Sequence, residues 1–479
     1  DRLLAAGVTA GRPMTGAGPR PQIASRELML VLGVGGIITA IRIATLFATP
    51  LNLGPDEAQY WDWSRTLAFG YFSKPPMIAW LIATSTAVCG DGEFCIRIWA
   101  PVLYFATSLL VFASANVLYG GRCAALAAIV LLTLPGISLS SVIASTDVPL
   151  LFAWSLALYF FLRSRRSGAP GWAAGLGAAL GVGLLSKYAM VYFPLCAAIY
   201  LAVSRDRPNP LPWRHLMVSA VIAVLALAPN LLWNMRNGFA TVTHTAANAS
   251  WGGAWIHPMH AIELVGDQAG VFGPILLGAF VWYAAISLRP RAWVSLDDRS
   301  RLLLSFSLPI LLIILAQGVV SRANANWAAA AYPAATILVT AWLDRAGRRW
   351  ALAGSYGLHL ALMLGFSVLC IIPSLIDRLG ADNAFKRLRG WDLMADGTFA
   401  AAERMPGSTI MMDDRMILTS YLYYGRGHPM PVTIWDDDGI PENHYELTRA
   451  FAQTGTGPVL LVARDRTVHL FRLSGFTGR

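Results

Sequence analysis

Through the first 373 residues, apolar positions come in blocks of 14–23, without the alternation of a half-buried strand or the one-sided stripe of a soluble helix. A helix needs roughly 20 such residues to cross a bilayer. The blocks Leu28–Phe47, Ile98–Leu118, Cys123–Ser140, Val148–Leu162, Trp172–Ser186, Tyr188–Val203, Leu216–Trp233, Gly270–Leu288, Leu302–Val320, Ala328–Leu343 and Ala351–Pro373 therefore predict about 11 spans. A twelfth block, Pro75–Val88, has 14 residues and is short for a span. Parity decides its place. Arginine clusters at 163–166, 205–214, 289–301 and 345–349, with Arg26 and Arg122, share one side only if Pro75–Val88 does not cross. It is read as a re-entrant or interfacial helix.

With the arginines cytoplasmic, Ala48–Arg97, Ser141–Asp147, Asn234–Asp267 and Ser321–Trp327 lie outside, as does the tail. Residues 1–26 are a polar cytoplasmic N-terminal tail, and Leu28–Phe47 serves as first span and signal anchor. Residues 27–374 form the transmembrane domain. Beyond it, short β-like runs (Thr409–Met412, Val432–Trp435, Val459–Val462, His469–Leu473) alternate with helical stretches. Residues 375–479 are thus expected to form a small external α/β domain.

Composition narrows the class. Of 479 residues, 56% are hydrophobic and 13% charged, half the share usual for soluble domains, which excludes a disordered chain and an ordinary cytosolic enzyme. The net charge of +10 does not mark a nucleic-acid binder. Only Lys74, Lys187 and Lys386 are lysines, and most arginines sit in short loops where they orient the spans.

Ionisable groups at membrane level are costly, so their positions carry information. Asp56, Glu57, Lys74, Asp147, Lys187 and Arg236 all fall at the external face. Asp56-Glu57 leads into Tyr60, Trp61 and Trp63, an aromatic density suited to the interface. Lys74 precedes Pro75-Pro76, which restrict its backbone, and offers a point charge for a phosphate; snorkelling is the bland alternative. The same alternative stands for Lys187, next to Tyr188. Asp147 precedes Val148-Pro149 and suits a helix cap as well as a site. Asn326 either donates an amide to a sugar or caps a span.

His244, His257 and His260 have no zinc-like spacing, and no phosphate loop or dinucleotide fingerprint stands out. No cofactor is expected; a divalent metal stays open without a ligand motif. The glycines of 171–183 suit close helix packing. Cys89 and Cys95 share the first external loop and are a disulfide candidate in an oxidising compartment. Cys123, Cys196 and Cys370 read as apolar packing.

Asp56-Glu57-Ala58-Gln59-Tyr60-Trp61, Gly70-Tyr71-Phe72-Ser73-Lys74-Pro75-Pro76, Ser145-Thr146-Asp147, Leu185-Ser186-Lys187-Tyr188, Trp233-Asn234 and Asn326-Trp327 together form a pattern over nearly the whole chain. It resembles bacterial membrane glycosyltransferases of the dolichyl-phosphate-mannose protein mannosyltransferase type, with the GT-C fold. Met412-Asp413-Asp414 to Tyr424 resembles their soluble domain. The nearest groups are lipid A aminoarabinose transferases and rhizobial lipopolysaccharide galacturonosyl transferases. Gln59 stands where the aminoarabinose enzymes carry a basic residue.

The resemblance implies an inner-membrane enzyme of a bacterium, active on the periplasmic face. It would move a galacturonic acid or aminoarabinose type sugar from a polyprenyl-phosphate carrier to lipid A or lipopolysaccharide core, inverting the anomeric carbon. Asp56 corresponds to the catalytic acid of the first loop, Asp147 to a second acidic site and Lys74 to a donor-phosphate ligand. Glu57 would assist catalysis; Lys187, Arg236, Tyr60, Tyr188 and Asn326 would bind substrate. A protein O-mannosyltransferase-like enzyme and a lipid-linked sugar flippase are the alternatives. Against the flippase, the polar groups gather at one face and no repeat is visible.

Overall fold

The eleven apolar runs all fold into helix, and their breaks fall where the sequence removes a backbone donor or a side chain. The molecule is seen as a computed structural model describing residues 25–205, 212–247, 256–428, 430–436, 439–452 and 457–464. Among the described residues six helices are long and apolar enough to cross a membrane: Arg26–Ala48, Glu93–Tyr119, Asp147–Ser167, Trp213–Arg236, Asp298–Val320 and Arg349–Ile371. A pair bent by 114°, Pro258–Phe272 and Pro274–Ser287, makes a seventh. By length this is fewer than the expected 11, because the remaining runs are shorter helices. Gly121–Thr133, Pro170–Ser186 and Tyr188–Val203 each stop short of 18 residues, as does Tyr332–Arg345. The loop expected over 234–267 also changes character, since Ala240–Ala247 and the start of Pro258–Phe272 are helical.

Two breaks show the cause. Cys123–Ser140 divides at Leu134, before Pro135, which cannot continue the hydrogen-bond ladder. The Leu132 carbonyl left there accepts from the guanidinium of Arg42, a buried arginine of the first span that also reaches Ser138 Oγ at 3.1 Å. In a lipid surrounding such a carbonyl needs a partner from within the protein. The second break is at Gly273, with φ of 87°, where a Cβ would stand 2.1 Å from His359 Nε2. Both conformation and space demand glycine.

Small residues close the bundle. A Cβ on Gly177 or Gly181 would meet Ser219 O at 2.6 Å or Ala226 Cβ at 2.4 Å, so Pro170–Ser186 lies directly on Trp213–Arg236. Trp154, Phe161, Phe193 and Phe306 fill the centre of the largest core. The helix Trp213–Arg236 turns Leu225, Leu232 and Met217 outward, an apolar surface suited to lipid.

Outside the bundle, the first loop folds into Pro55–Arg65, Met77–Cys89 and Glu93–Arg97, with Cys89 and Cys95 joined as a disulfide. Cys123, Cys196 and Cys370 are free and buried. The tail carries a parallel three-stranded sheet in which Thr409–Met412 lies between Val432–Ile434 and Val459–Val462. Helix Arg415–Tyr424 follows the central strand and packs on Pro55–Arg65. The run His469–Leu473 lies outside the described residues.

Tyr423 Oη donates to Asp91 O at 2.7 Å, Tyr445 Oη to Asp62 at 3.1 Å, and Trp391 N to Asn52 Oδ1 at 3.0 Å. These bonds seat the tail on the first loop.

Candidate functional site

The site begins with the turn 66–76. A Cβ on Gly70 would stand 2.5 Å from the Trp233 ring, so only glycine permits this approach. Asn230 Nδ2 donates to Phe69 O at 2.7 Å and Thr241 Oγ1 to Tyr71 O at 2.6 Å. Three residues from the helix Trp213–Arg236 and its sequel thereby hold the turn, and Lys74 follows it directly. With Ser73 and Pro75, Lys74 lines a cavity of about 630 Å³ whose far walls include Lys187, Tyr188, Tyr192, Ile314, Val320 and Trp327. The walls are mostly apolar. Lys74 and Lys187 bring the charged groups among them, beside the uncharged Ser73, Thr245 and Gln317.

The Lys74 carbonyl accepts from Tyr71 N at 3.1 Å, while its ammonium forms no hydrogen bond or ion pair among the described residues. Burial, then the nearby Lys187 charge, push its amine below the ordinary lysine value; Asp56 and Asp147 act upward and Arg415 downward. Lys187 Nζ lies 2.7 Å from Asp147 Oδ1. The other Asp147 oxygen accepts from Asn326 Nδ2 at 2.5 Å and Ser145 Oγ at 3.3 Å. Asp147 is the first residue of its helix, and its carboxylate makes no capping bond. It faces a second cavity, of about 270 Å³, lined by Tyr104, Ser140, Asn326 and Tyr332. Thus the Asp147–Lys187 pair stands between the two cavities.

Asp56 and Glu57 are neighbours with opposite surroundings. Successive helix positions point about 100° apart. Glu57 is 1% exposed and accepts four bonds: from Arg97 Nε and Nη2 at 2.8 Å each, from Gly54 N at 2.8 Å and from Ala144 N at 2.8 Å. Arg97, 2% exposed, also reaches the carbonyls of Leu51 and Asn52. Its carboxylate oxygens are thus occupied by four donors inside the protein, and Glu57 ties the helix of Asp56 to Arg97 and to the segment at Ala144. The Asp56 side chain is 58% exposed, and its Oδ1 lies 3.0 Å from Arg415 Nη1 of the tail. Arg415 Nη1 also donates to Gln59 Oε1.

Tyr60 is buried beside this pair; its phenol is held well above the usual range by burial, then by the Asp56 charge, with Asp147 acting in the same direction. His244 is lowered by burial and by Lys74. Tyr188 Oη donates to Asn230 Oδ1 at 2.8 Å and accepts from Asn234 Nδ2 at 3.2 Å, which places it in the cavity wall. Asp56, Lys74, Asp147, Lys187, Tyr60, Tyr188 and Asn326 therefore gather at one place. Arg236 does not join them. It ends the helix Trp213–Arg236, exposed, and lines neither of these two cavities.

Arg97 and Arg415 had not been singled out from the sequence. Arg97 sits where the polar loop enters an apolar block, as an ordinary end-of-span arginine does. Arg415 meets Asp56 across 359 residues, and only the Asp413-Asp414 context drew notice to its region.

Among proteins of known activity, a lipid A galacturonosyltransferase of Rhizobium johnstonii is 33% identical over 445 residues, 91% of this chain and 90% of that one. An undecaprenyl phosphate-alpha-4-amino-4-deoxy-L-arabinose arabinosyl transferase of Serratia proteamaculans is 28% identical over 42% of this chain and 40% of its own. The family model of dolichyl-phosphate-mannose-protein mannosyltransferase matches residues 73–233. Of solved structures, ArnT from Cupriavidus metallidurans bound to undecaprenyl phosphate superposes with a TM-score of 0.64 at 18% identity, over 89% of this chain and 88% of that one. At that identity the likeness is one of fold.

Proposed function

Because the chain belongs to the GT-C membrane glycosyltransferases related to the dolichyl-phosphate-mannose-protein mannosyltransferases and lipid A galacturonosyltransferases, we propose that it moves a sugar from a polyprenyl-phosphate carrier to lipid A or lipopolysaccharide core. The chain is a multi-pass membrane protein. We place it in the bacterial inner membrane, with the site on the periplasmic face and residues 375–479 beside it as a periplasmic domain. The arginine clusters on the opposite side and the Cys89–Cys95 disulfide support that orientation.

The observation that carries the reading is the pair of ammonium groups, Lys74 and Lys187, at the wall of a mostly apolar cavity of about 630 Å³. A polyprenyl phosphate has the matching form, an apolar chain with an anionic head. In the reaction the bond from the anomeric carbon to the carrier phosphate oxygen breaks. A bond to an acceptor hydroxyl oxygen forms, and the hydroxyl proton passes to Asp56. The departing phosphate monoester gains negative charge, so cations placed beforehand stabilise the transition state more than the ground state. Asp147 orients Lys187, while Glu57 and Arg97 brace the helix carrying Asp56. An exposed carboxylate at the mouth of the site is the available base.

Lipid acceptors are favoured over protein because the relative matched over nine-tenths of its length acts, by its description, on lipid A. The test is transfer by purified protein from a synthetic short-chain polyprenyl-phosphate sugar to lipid A, run beside a nucleotide sugar. Lipid-phosphate-dependent product is expected; use of the nucleotide sugar instead would defeat the reading.

A further inference from the structure

Arg415 comes from the tail yet ends on the candidate base, and its bonding is incomplete. Both of its contacts use Nη1, to Asp56 Oδ1 at 3.0 Å and to Gln59 Oε1. Its Nε and Nη2 make no hydrogen bond among the described residues, and the side chain is 31% exposed. Asp56, its ion partner, is the exposed candidate base, so the guanidinium stands beside the group that would take the acceptor proton. Gln59, by contrast, is 2% exposed, which fixes one anchor of the arginine. The fork left open, Nε with Nη2, is the edge that takes a carboxylate through two parallel bonds.

Resting on the transfer proposed above, we propose that Arg415 reads a carboxylate on the donor sugar and makes the enzyme selective for uronic acid donors. A uronosyl group brings its carboxylate within reach of the open fork, and the guanidinium turns from Asp56 toward it. Asp56 loses its ion partner as the correct sugar arrives and is then free to take the acceptor proton. A neutral hexose leaves the fork empty and the base paired. An amino sugar sets a cation beside Arg415 and Lys74, where like charges reject it. The carboxylate is thus read by a residue that also controls the base.

The test compares two donors on the same short polyprenyl phosphate, a galacturonosyl and a galactosyl group, which differ only in a carboxylate against a hydroxymethyl. Wild type is expected to prefer the uronosyl donor. In Arg415→Gln the uronosyl-to-galactosyl ratio of kcat/KM should fall about 10- to 10²-fold, the size of a lost hydrogen bond to a charged group. Arg415→Lys, which keeps charge without the fork, should fall between them and guards against a mere folding loss. Equal losses on both donors would mean that Arg415 reads a phosphate or only braces Asp56, and the inference would fall while lipid-phosphate transfer stands. A wild type that prefers the galactosyl donor has the same consequence. A wild type that uses neither donor overturns the transfer reading and takes this one with it.

Discussion

Lys187 Nζ and Asp147 Oδ1, 2.7 Å apart, form an ion pair that divides a cavity with two ammonium groups from a smaller one walled by Tyr104 and Tyr332. Asp147 therefore sets how much of the Lys187 charge a bound phosphate experiences. Asp147→Asn should free that charge. The lipid phosphate would then bind tighter, and the product monoester, which carries more negative charge, tightest of all, so that product release comes to limit turnover. KM and kcat should both fall, each by about tenfold, equivalent to roughly 1.4 kcal/mol. Lys187→Ala should raise KM instead. Steady-state kinetics with a short-chain donor separate the two; a rise in KM for Asp147→Asn would show that the pair does not act this way.

The neighbouring acids should respond differently to substitution. Asp56→Asn removes a base at an exposed position without changing shape, and is expected to abolish transfer while leaving the melting temperature within a degree or two. Glu57→Ala leaves Arg97 as an uncompensated buried charge, which costs about 3–5 kcal/mol. It should lower the melting temperature in detergent sharply or prevent recovery of folded protein. Fluorescence-detected melting and transfer assays on the two variants together decide this. An active, cool-melting Asp56→Asn and a stable, inactive Glu57→Ala would reverse the assignments.

Which of these residues could be recognised from sequence follows from how local their environments are. Asp56, Lys74, Asp147 and Lys187 stood out because charge beside long apolar runs is costly wherever the chain goes. The division of labour between Asp56 and Glu57 did not, since it depends on Arg97 and on the amide of Ala144, 87 residues away. Arg236 shows the related point that a helix end fixes depth but not direction: it is exposed, while Asn230 and Asn234 on the same helix are buried beside Tyr188. Helix length follows the same logic. Hydrophobic runs record apolar surroundings, whereas Pro135 and Gly273 decide whether a run is one straight helix. Arg415 is the limiting case, because nothing near it in sequence says which external loop the tail will meet.

Orientation can be tested with single cysteines at exposed positions. Leu67→Cys in the first loop and Leu393→Cys in the tail should react with an impermeant thiol reagent added to spheroplasts, and Ser167→Cys should not. The native free thiols are buried and give little background. Labelling of Ser167→Cys from outside would invert the topology and move the site to the cytoplasmic face.

Lys74 yields a prediction with opposite signs for stability and activity. Its folded amine sits below the ordinary lysine value, chiefly through burial and then through Lys187. Between the folded and unfolded values the unfolded chain binds more protons, so this group makes stability rise with pH across that window; below the window the penalty is fully present. Lys74→Met should remove the penalty and raise the melting temperature of the ligand-free protein at neutral pH. The same change removes a cation from the departing phosphate, and should lower kcat/KM for a lipid-phosphate donor by on the order of 10²–10³. In wild type the rate should fall at alkaline pH as the amine discharges, beginning below the ordinary lysine range. A guanidinium stays charged there, so Lys74→Arg should keep part of the activity and shift that limb upward. The measurement is a pH–rate profile for both proteins, with melting curves of wild type and Lys74→Met with and without a short polyprenyl phosphate. Donor-induced stabilisation should be lost in Lys74→Met. If Lys74→Met melts like wild type, gains the same stabilisation from the lipid phosphate and turns over at the same rate, the amine is a passenger in the cavity wall.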